Sequence, residues 1–180
     1  MSSERLIFEV SFRSLFDSLP QPEQTRVATA WKALGVDVTR LLPGYPAETW
    51  WRAVEKAAEG LAGTPEQRLR HLGRGLTDGF SRTLLGRATA PLARLTGTRR
   101  TLVRSPITFR SGNNYLQTVV EVEEPLRVRL RVNEVSPITD LLAGSIEGVV
   151  VFSGGFRPQV EVVRGETDTI YDVRWETDPG

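Results

Sequence analysis

The chain has 180 residues, one histidine and no cysteine, and those counts limit its chemistry at once. Disulfides, thiolate nucleophiles, iron–sulfur clusters and Cys-ligated zinc are excluded. His71 has neither a second imidazole nor a thiol with which to complete a metal or haem site, and it reads as a surface or boundary side chain on an arginine-rich helix. A serine hydrolase of the elbow type needs Gly-x-Ser-x-Gly, which is missing; Gly144-Ser145 falls inside a predicted buried helix. Gly73-x-Gly75 followed by Gly79 misses the dinucleotide spacing by one residue and lies mid-helix, not after a strand. Most of Glu121, Glu123, Glu124, Glu166, Asp168 and Asp172 fall at hairpin loops or on predicted solvent faces, where a solvated strand edge is expected over a cation site. No spacing specifies a reaction, so the expectation is a non-enzyme with no metal and no cofactor.

Two polar constellations remain. Arg94, Arg99, Arg100, Arg104 and Arg110 flank Gly97, Pro106 and Gly112. Such a cluster could meet phosphate, and nucleic-acid binding through residues 94–110 is the alternative function. Phe109 and Tyr115 are the only aromatics nearby, too few for a base-stacking platform, which makes nucleic acid the minority reading. Residues 64–115 carry ten Arg against two acids, whereas residues 116–180 carry six basic and twelve acidic side chains. Arg99, Arg100, Arg104 and Arg110 are therefore read as a face for an anionic partner, or as ion-pair partners of the acidic half. The second constellation is Asn113, Asn114 and Tyr115, before one strand, and Glu134, after its neighbour. It is either a polar pocket mouth or, somewhat favoured, a turn whose Asn side chains satisfy backbone groups while Glu134 pairs with an arginine.

The elements that position these residues follow from periodicity. Phe8, Val10 and Phe12 alternate with polar residues as in a strand, and Leu15, Phe16 and Leu19 then fit a helical turn. A short helix spans 23–34, a turn spans 41–46, and the helix at 46–62 places Trp50, Trp51, Val54, Ala57 and Leu61 on one stripe. Thr64-Pro-Glu-Gln67 has the form of a capping box. Leu69, Leu72, Leu76, Phe80 and Leu84 mark the long helix that follows, to be kinked or ended by Pro91. Gly73, Gly75, Gly79 and Gly86 weaken an isolated helix by up to about 1 kcal/mol each, so close approach by a neighbouring element is their expected use. Residues 104–115 read as a polar hinge. Beyond it lie strands at 116–122 and 127–132, the latter turning Val128, Leu130 and Val132 inward and Arg129 and Arg131 outward beside Glu121. A helix then carries Ile138, Leu141, Leu142, Ile146, Val149 and Val150, with Gly144, Ser145 and Gly148 forming a small face against the sheet. Strands at 159–163 and 169–175 complete the order, and residues 177–180 are expected to fray.

The expected fold class is α+β: one domain with an N-terminal helical half packed on a four-stranded antiparallel sheet, the helices followed by ββαββ. The N-terminus has no signal-peptide core, and no window approaches the roughly 20 apolar residues of a membrane helix, so a soluble cytoplasmic protein without a membrane span is expected.

The segments Leu-Leu-Pro-Gly-Tyr-Pro46, Arg74-Gly-Leu-Thr-Asp-Gly-Phe-Ser-Arg-Thr-Leu-Leu-Gly86, Phe109-Arg-Ser-Gly-Asn-Asn-Tyr115 and Val132-Asn-Glu-Val135 resemble a myxobacterial paralogous family, a domain of unknown function, over about residues 5–176. That resemblance implies no reaction. The order of elements is also similar to a superfamily comprising haem–nitric oxide sensors, vinyl-reductase-type ligand-sensing domains and small TRAPP tethering subunits, which implies helices on a four-stranded sheet with a cavity between them. The Tyr-x-Ser-x-Arg haem-propionate motif of the sensors is absent here, as are the metal-binding cysteines of some relatives, so haem and zinc are not expected. The resulting expectation is a regulatory or adaptor domain that binds a partner protein or a small apolar or acyl ligand. Leu72, Leu76, Phe80, Leu141, Ile146 and Val149 would line its interior, and TRAPP-like association would make it a homodimer.

Overall fold

The computed structural model describes residues 4–177, apart from the side chains of Leu85 and Thr108. The chain begins with β1 (Leu6–Phe8), α1 (Glu9–Ser18) and α2 (Gln21–Lys32), followed by β2 (Gly44–Pro46), which pairs antiparallel with β1. Four helices follow: α3 (Ala47–Ala58), α4 (Pro65–Arg82), α5 (Leu84–Thr96) and α6 (Thr98–Phe109). Then come β3 (Thr118–Glu124), β4 (Arg127–Val132), α7 (Thr139–Phe152), β5 (Gly155–Arg164) and β6 (Thr169–Thr177). The last four strands form one antiparallel sheet in the order β3-β4-β6-β5, so the α+β class with helices before ββαββ is as the sequence implies. Of the tail expected to fray, Thr177 pairs with Gly155, and residues 178–180 lie outside the described residues.

Two apolar clusters make the core. Around α1–α3, Phe12 meets Trp31, Tyr45 and Trp50 at ring-centroid distances of 5.6, 4.7 and 4.8 Å, and the Trp31 indole N–H donates to the Ala53 carbonyl. Around the sheet, Val128, Leu130, Val132 and Val173 pack with Ile146 and Val150 of α7 and Leu102 of α6. The alternation at 8–13 does not give the expected strand. The chain turns helical at Glu9, because a helix buries Phe12, Leu15 and Leu19 together and leaves Val10 38% exposed.

Three further boundaries differ from expectation. The long helix ends at Arg82, not at Pro91: Thr83 is extended, and its hydroxyl accepts from the Gly86 N–H to cap α5. Pro91 sits inside α5, which Gly97 closes at φ +80°. The hinge is also shorter than expected, since residues 104–109 are the last turns of α6. Finally, β3 and β4 are joined through Pro125-Leu126, with Glu124 opposite Arg127. A bulge at Glu121 lets its carboxylate reach Arg131 Nε at 2.5 Å.

The α4–α7 crossing joins the two halves, and glycine permits it. A Cβ on Gly73 would fall inside the backbone of α7 at Leu141 and Ser145, and one on Gly144 would lie 2.6 Å from Arg70 Cα. The small face of α7 therefore packs on α4, and its other side covers the sheet. Arg70 spans this crossing. It donates to Asp140 Oδ1 (3.1 Å), Glu147 Oε1 (2.6 Å) and the Val160 carbonyl (3.0 Å). Arg74 and Arg164 complete the network at 2.6 and 2.5 Å from Glu147 and Asp140. The basic and acidic halves are thus partly joined by internal ion pairs.

Candidate functional site

A cavity of about 540 Å³ lies between the helical layers and the start of the sheet. That volume falls in the range of small-molecule sites, and so does its character, apolar walls with a few polar groups. Leu76, Phe80, Leu141 and Val149, four of the six predicted lining residues, face it. Leu72 and Ile146 do not. Leu72 is buried in the helical core, and Ile146 turns to the sheet beneath α7. Helical phase explains both: on α4 and α7 the buried arc is wider than the arc that meets the open space. Sequence reasoning missed the wall contributed by the N-terminal helices, where Ser11, Ser14, Trp50 and Trp51 line the cavity. No signal in the sequence marks it: Ser11 and Ser14, one turn apart, are polar and yet lie on the interior side of α1.

The structure brings Asn113, Tyr115 and Glu134 together at one end of this space. Asn113 serves the backbone: its Oδ1 accepts from the Tyr115 and Leu116 N–H groups, and its Nδ2 donates to Phe109 O. Asn114 does the same for the chain's start, accepting from Leu6 N–H and donating to Glu4 O. Both asparagines therefore satisfy backbone groups, as the sequence somewhat favours, and Asn114 fastens β1 to the segment after α6. Glu134 pairs with an arginine, as the same reading has it, but only loosely. Its side chain is 8% exposed, and its Oε1 is buried without a hydrogen-bond partner. The nearest cation is the largely exposed Arg5, whose Nη1 lies 3.7 Å away and whose guanidinium sits over the Tyr115 ring. Burial raises the Glu134 pKa above the ordinary carboxylate range, opposed by hydrogen bonding from Tyr115 and the charge of Arg5. Tyr115 is itself raised, first by burial and then by Glu134.

The arginine face is more dispersed than expected. Arg99 approaches Glu123 at 3.8 Å and, with Arg100, borders a shallow groove beside Trp175. Arg104 and Arg110 are exposed without an ion pair among the described residues. His71 is also exposed, away from the cavity. The acidic residues expected on solvated edges include one exception: Asp172 is buried and receives Arg127 and Arg129 at 2.7 Å each. No group of three His, Cys, Asp or Glu among the described residues could hold a metal ion. No helix among them is long and apolar enough to cross a membrane.

Comparison with solved structures identifies the fold. The chain is similar to Fe(II) unliganded H-NOX protein from K. algicida, with a TM-score of 0.71, 8% identity and coverage of 95% of this chain and 97% of that one. It is likewise similar to an oxygen-binding H-NOX domain related to soluble guanylate cyclases, in its oxygen complex (TM-score 0.67, 15% identity, 91% and 90% covered). A structure that bears on the molecular mechanism of H-NOX activation gives a TM-score of 0.68 at 16% identity, with 95% and 97% covered. The fold is therefore H-NOX-like. No curated protein matches the chain. Residues 5–176 match the profile of one sequence family.

Haem, which this fold brings to mind, does not fit the residues present. Among the described residues lining the cavity there is no His, Cys or Met to serve as axial ligand, and no Arg or Lys to receive propionates. The phenols that do face it, Tyr115 and Tyr171, are both held protonated by burial. The one ionisable carboxyl in the wall, Glu134, would meet a propionate with like charge.

Proposed function

The chain belongs to the family described as Protein of unknown function (DUF2378), and we propose that it is a non-enzymatic regulatory domain that takes a small, largely apolar ligand into the cavity between its helices and its sheet. The observation that carries this reading is the cavity itself, open to a ligand of modest size and walled by Leu76, Phe80, Leu141 and Val149. The fold supports it by analogy, since an oxygen-binding H-NOX domain holds a ligand within the same architecture. The state of the cavity is passed to a partner protein through α5 and α6. These helices wall the cavity at Ala93 and Ile107, and they expose Leu84 (86%), Leu95 (85%) and Ile107 (76%). A second copy of the chain on that face would give a homodimer, which size-exclusion chromatography distinguishes from a heterologous partner.

Trp50 and Trp51 border the cavity and report on its contents. Titration of the protein with 1-decanol, below its solubility limit, is expected to change tryptophan emission saturably. Ala93→Phe fills the space from α5 and is expected to weaken the response at least ten-fold while leaving far-UV circular dichroism unchanged. Equal responses in both proteins would refute occupancy of this cavity.

A further inference from the structure

We propose that the polar end of the cavity selects its ligand by the head group: Glu134 Oε1 receives a hydrogen-bond donor or a cation, so that an alkyl amine or alcohol is bound in preference to a carboxylate of equal length. This rests on the cavity reading above and deepens it.

The argument is one of polar satisfaction. Most hydroxyls in the cavity wall already have a use for their protons. Ser11 donates to Gly112 O, Thr77 to Ser145 O, Ser105 to Leu102 O, Thr139 to Ser136 O and Tyr171 to Thr139 O. Asn113 spends its amide on Phe109 O. The wall thus has few protons to offer an incoming ligand, whereas Glu134 Oε1, beyond the bond that Tyr115 gives its carboxyl, accepts no hydrogen bond from the protein. A buried acceptor left unmade is costly, and the cost is recovered only by an occupant that donates. Arg5 does not remove the deficit, because its guanidinium is 3.7 Å from the carboxylate and is drawn over the Tyr115 ring. A fatty carboxylate would bring a second negative charge to a carboxyl already penalised by burial.

The test compares decylamine, 1-decanol and decanoate, each below its micellar concentration, by tryptophan emission and by native mass spectrometry. The expected order is amine, then alcohol, with decanoate at least ten-fold weaker than the amine. In Glu134→Gln the amine loses its advantage over the alcohol, because the amide keeps the shape and removes the charge. If the three probes bind wild-type protein equally, the head-group proposal falls and the cavity reading stands. If decanoate is preferred, the proposal falls in the opposite sense. If none binds, both fall. The ranking in wild-type protein is decisive even where Glu134→Gln is poorly folded. If that variant folds and keeps the amine preference, Glu134 is not the receiving atom.

Discussion

Substituting Gly73 by alanine sets a known gain against a steric cost that the crossing of α4 and α7 makes explicit. In an exposed helix the change would stabilise by about 1 kcal/mol through propensity alone. Here the new methyl would enter the backbone of α7, inside contact distance of the Leu141 carbonyl and 2.7 Å from Ser145 N. Backbone atoms in the middle of a helix cannot rotate away, so the helices must part or bend. Overpacking of this kind costs roughly 1–3 kcal/mol, and three backbone contacts, the third to Gly144 C, place it at or beyond the upper end. Separation also stretches the bonds of Arg70 and Arg74 to Glu147 across the same crossing. The net expectation is a loss of about 2 kcal/mol, a fall of roughly 4–8 °C in Tm for a chain of this size. Gly75→Ala is the matched control on the same helix. Its methyl would meet the Ser18 hydroxyl at 2.8 Å, a group that can turn aside by giving up its bond to Leu15 O. The propensity gain and that loss leave it within about 1 kcal/mol of wild type. Urea unfolding followed by tryptophan emission measures both. Gly73→Ala as stable as Gly75→Ala would refute the close crossing and the cavity geometry that depends on it.

Other expectations concern charge and packing. Glu147→Gln leaves Arg70 and Arg74 without their shared carboxylate and should cost on the order of 2–4 kcal/mol in urea unfolding, less than a fully buried pair because both arginines are partly exposed. Asp172 is held well below the ordinary carboxylate range, first by its hydrogen bond from Arg127. A depressed folded pKa gives stability that is present above the unfolded value of about 4 and is lost as pH falls toward the folded one. Asp172→Asn should therefore destabilise at pH 7, by roughly 2–3 kcal/mol, and the gap to wild type should close in acid melts below about pH 4. Glu134 has the opposite sign. Its folded pKa is raised, so its penalty grows as pH rises through that value, and Glu134→Gln should melt no lower than wild type at pH 8. Phe12→Ala removes the ring that touches Trp31, Tyr45 and Trp50 and should cost about 3–5 kcal/mol by the same unfolding assay.

What was legible in the sequence was whatever repeated or capped. Val128, Leu130 and Val132 point inward as their alternation implies, and Thr64 and Gln67 form the capping box their spacing describes. The glycines of α4 and α7 announce a close approach. Periodicity places Gly144 against the sheet, however, whereas it meets α4, because a small residue shows only that something comes near, not which element does. The three-residue strands β1 and β2 carry too few residues for a period. The end of α4 hides in Thr83, a cap indistinguishable by composition from a helical threonine. Of the cavity wall, the sequence pointed to Leu76, Phe80, Leu141 and Val149 and to the polar trio Asn113, Tyr115 and Glu134. The contribution of Ser11 and Ser14 was not readable, since it depends on how α1 docks on α4 through Gly79. Glu147 and Asp140 were likewise unreadable as buried charges, because Arg70, the arginine they share, lies 70 or more residues away.

The stitch that Asn114 makes to Leu6 and Glu4 has a temporal consequence. Its two ends are about 110 residues apart in sequence, and closing so long a loop costs entropy that no local contact repays. The aromatic cluster of the first sixty residues can condense early, from near neighbours. The chamber must wait until β1 meets a segment from beyond the middle of the chain, so competence to hold a guest is acquired late in folding.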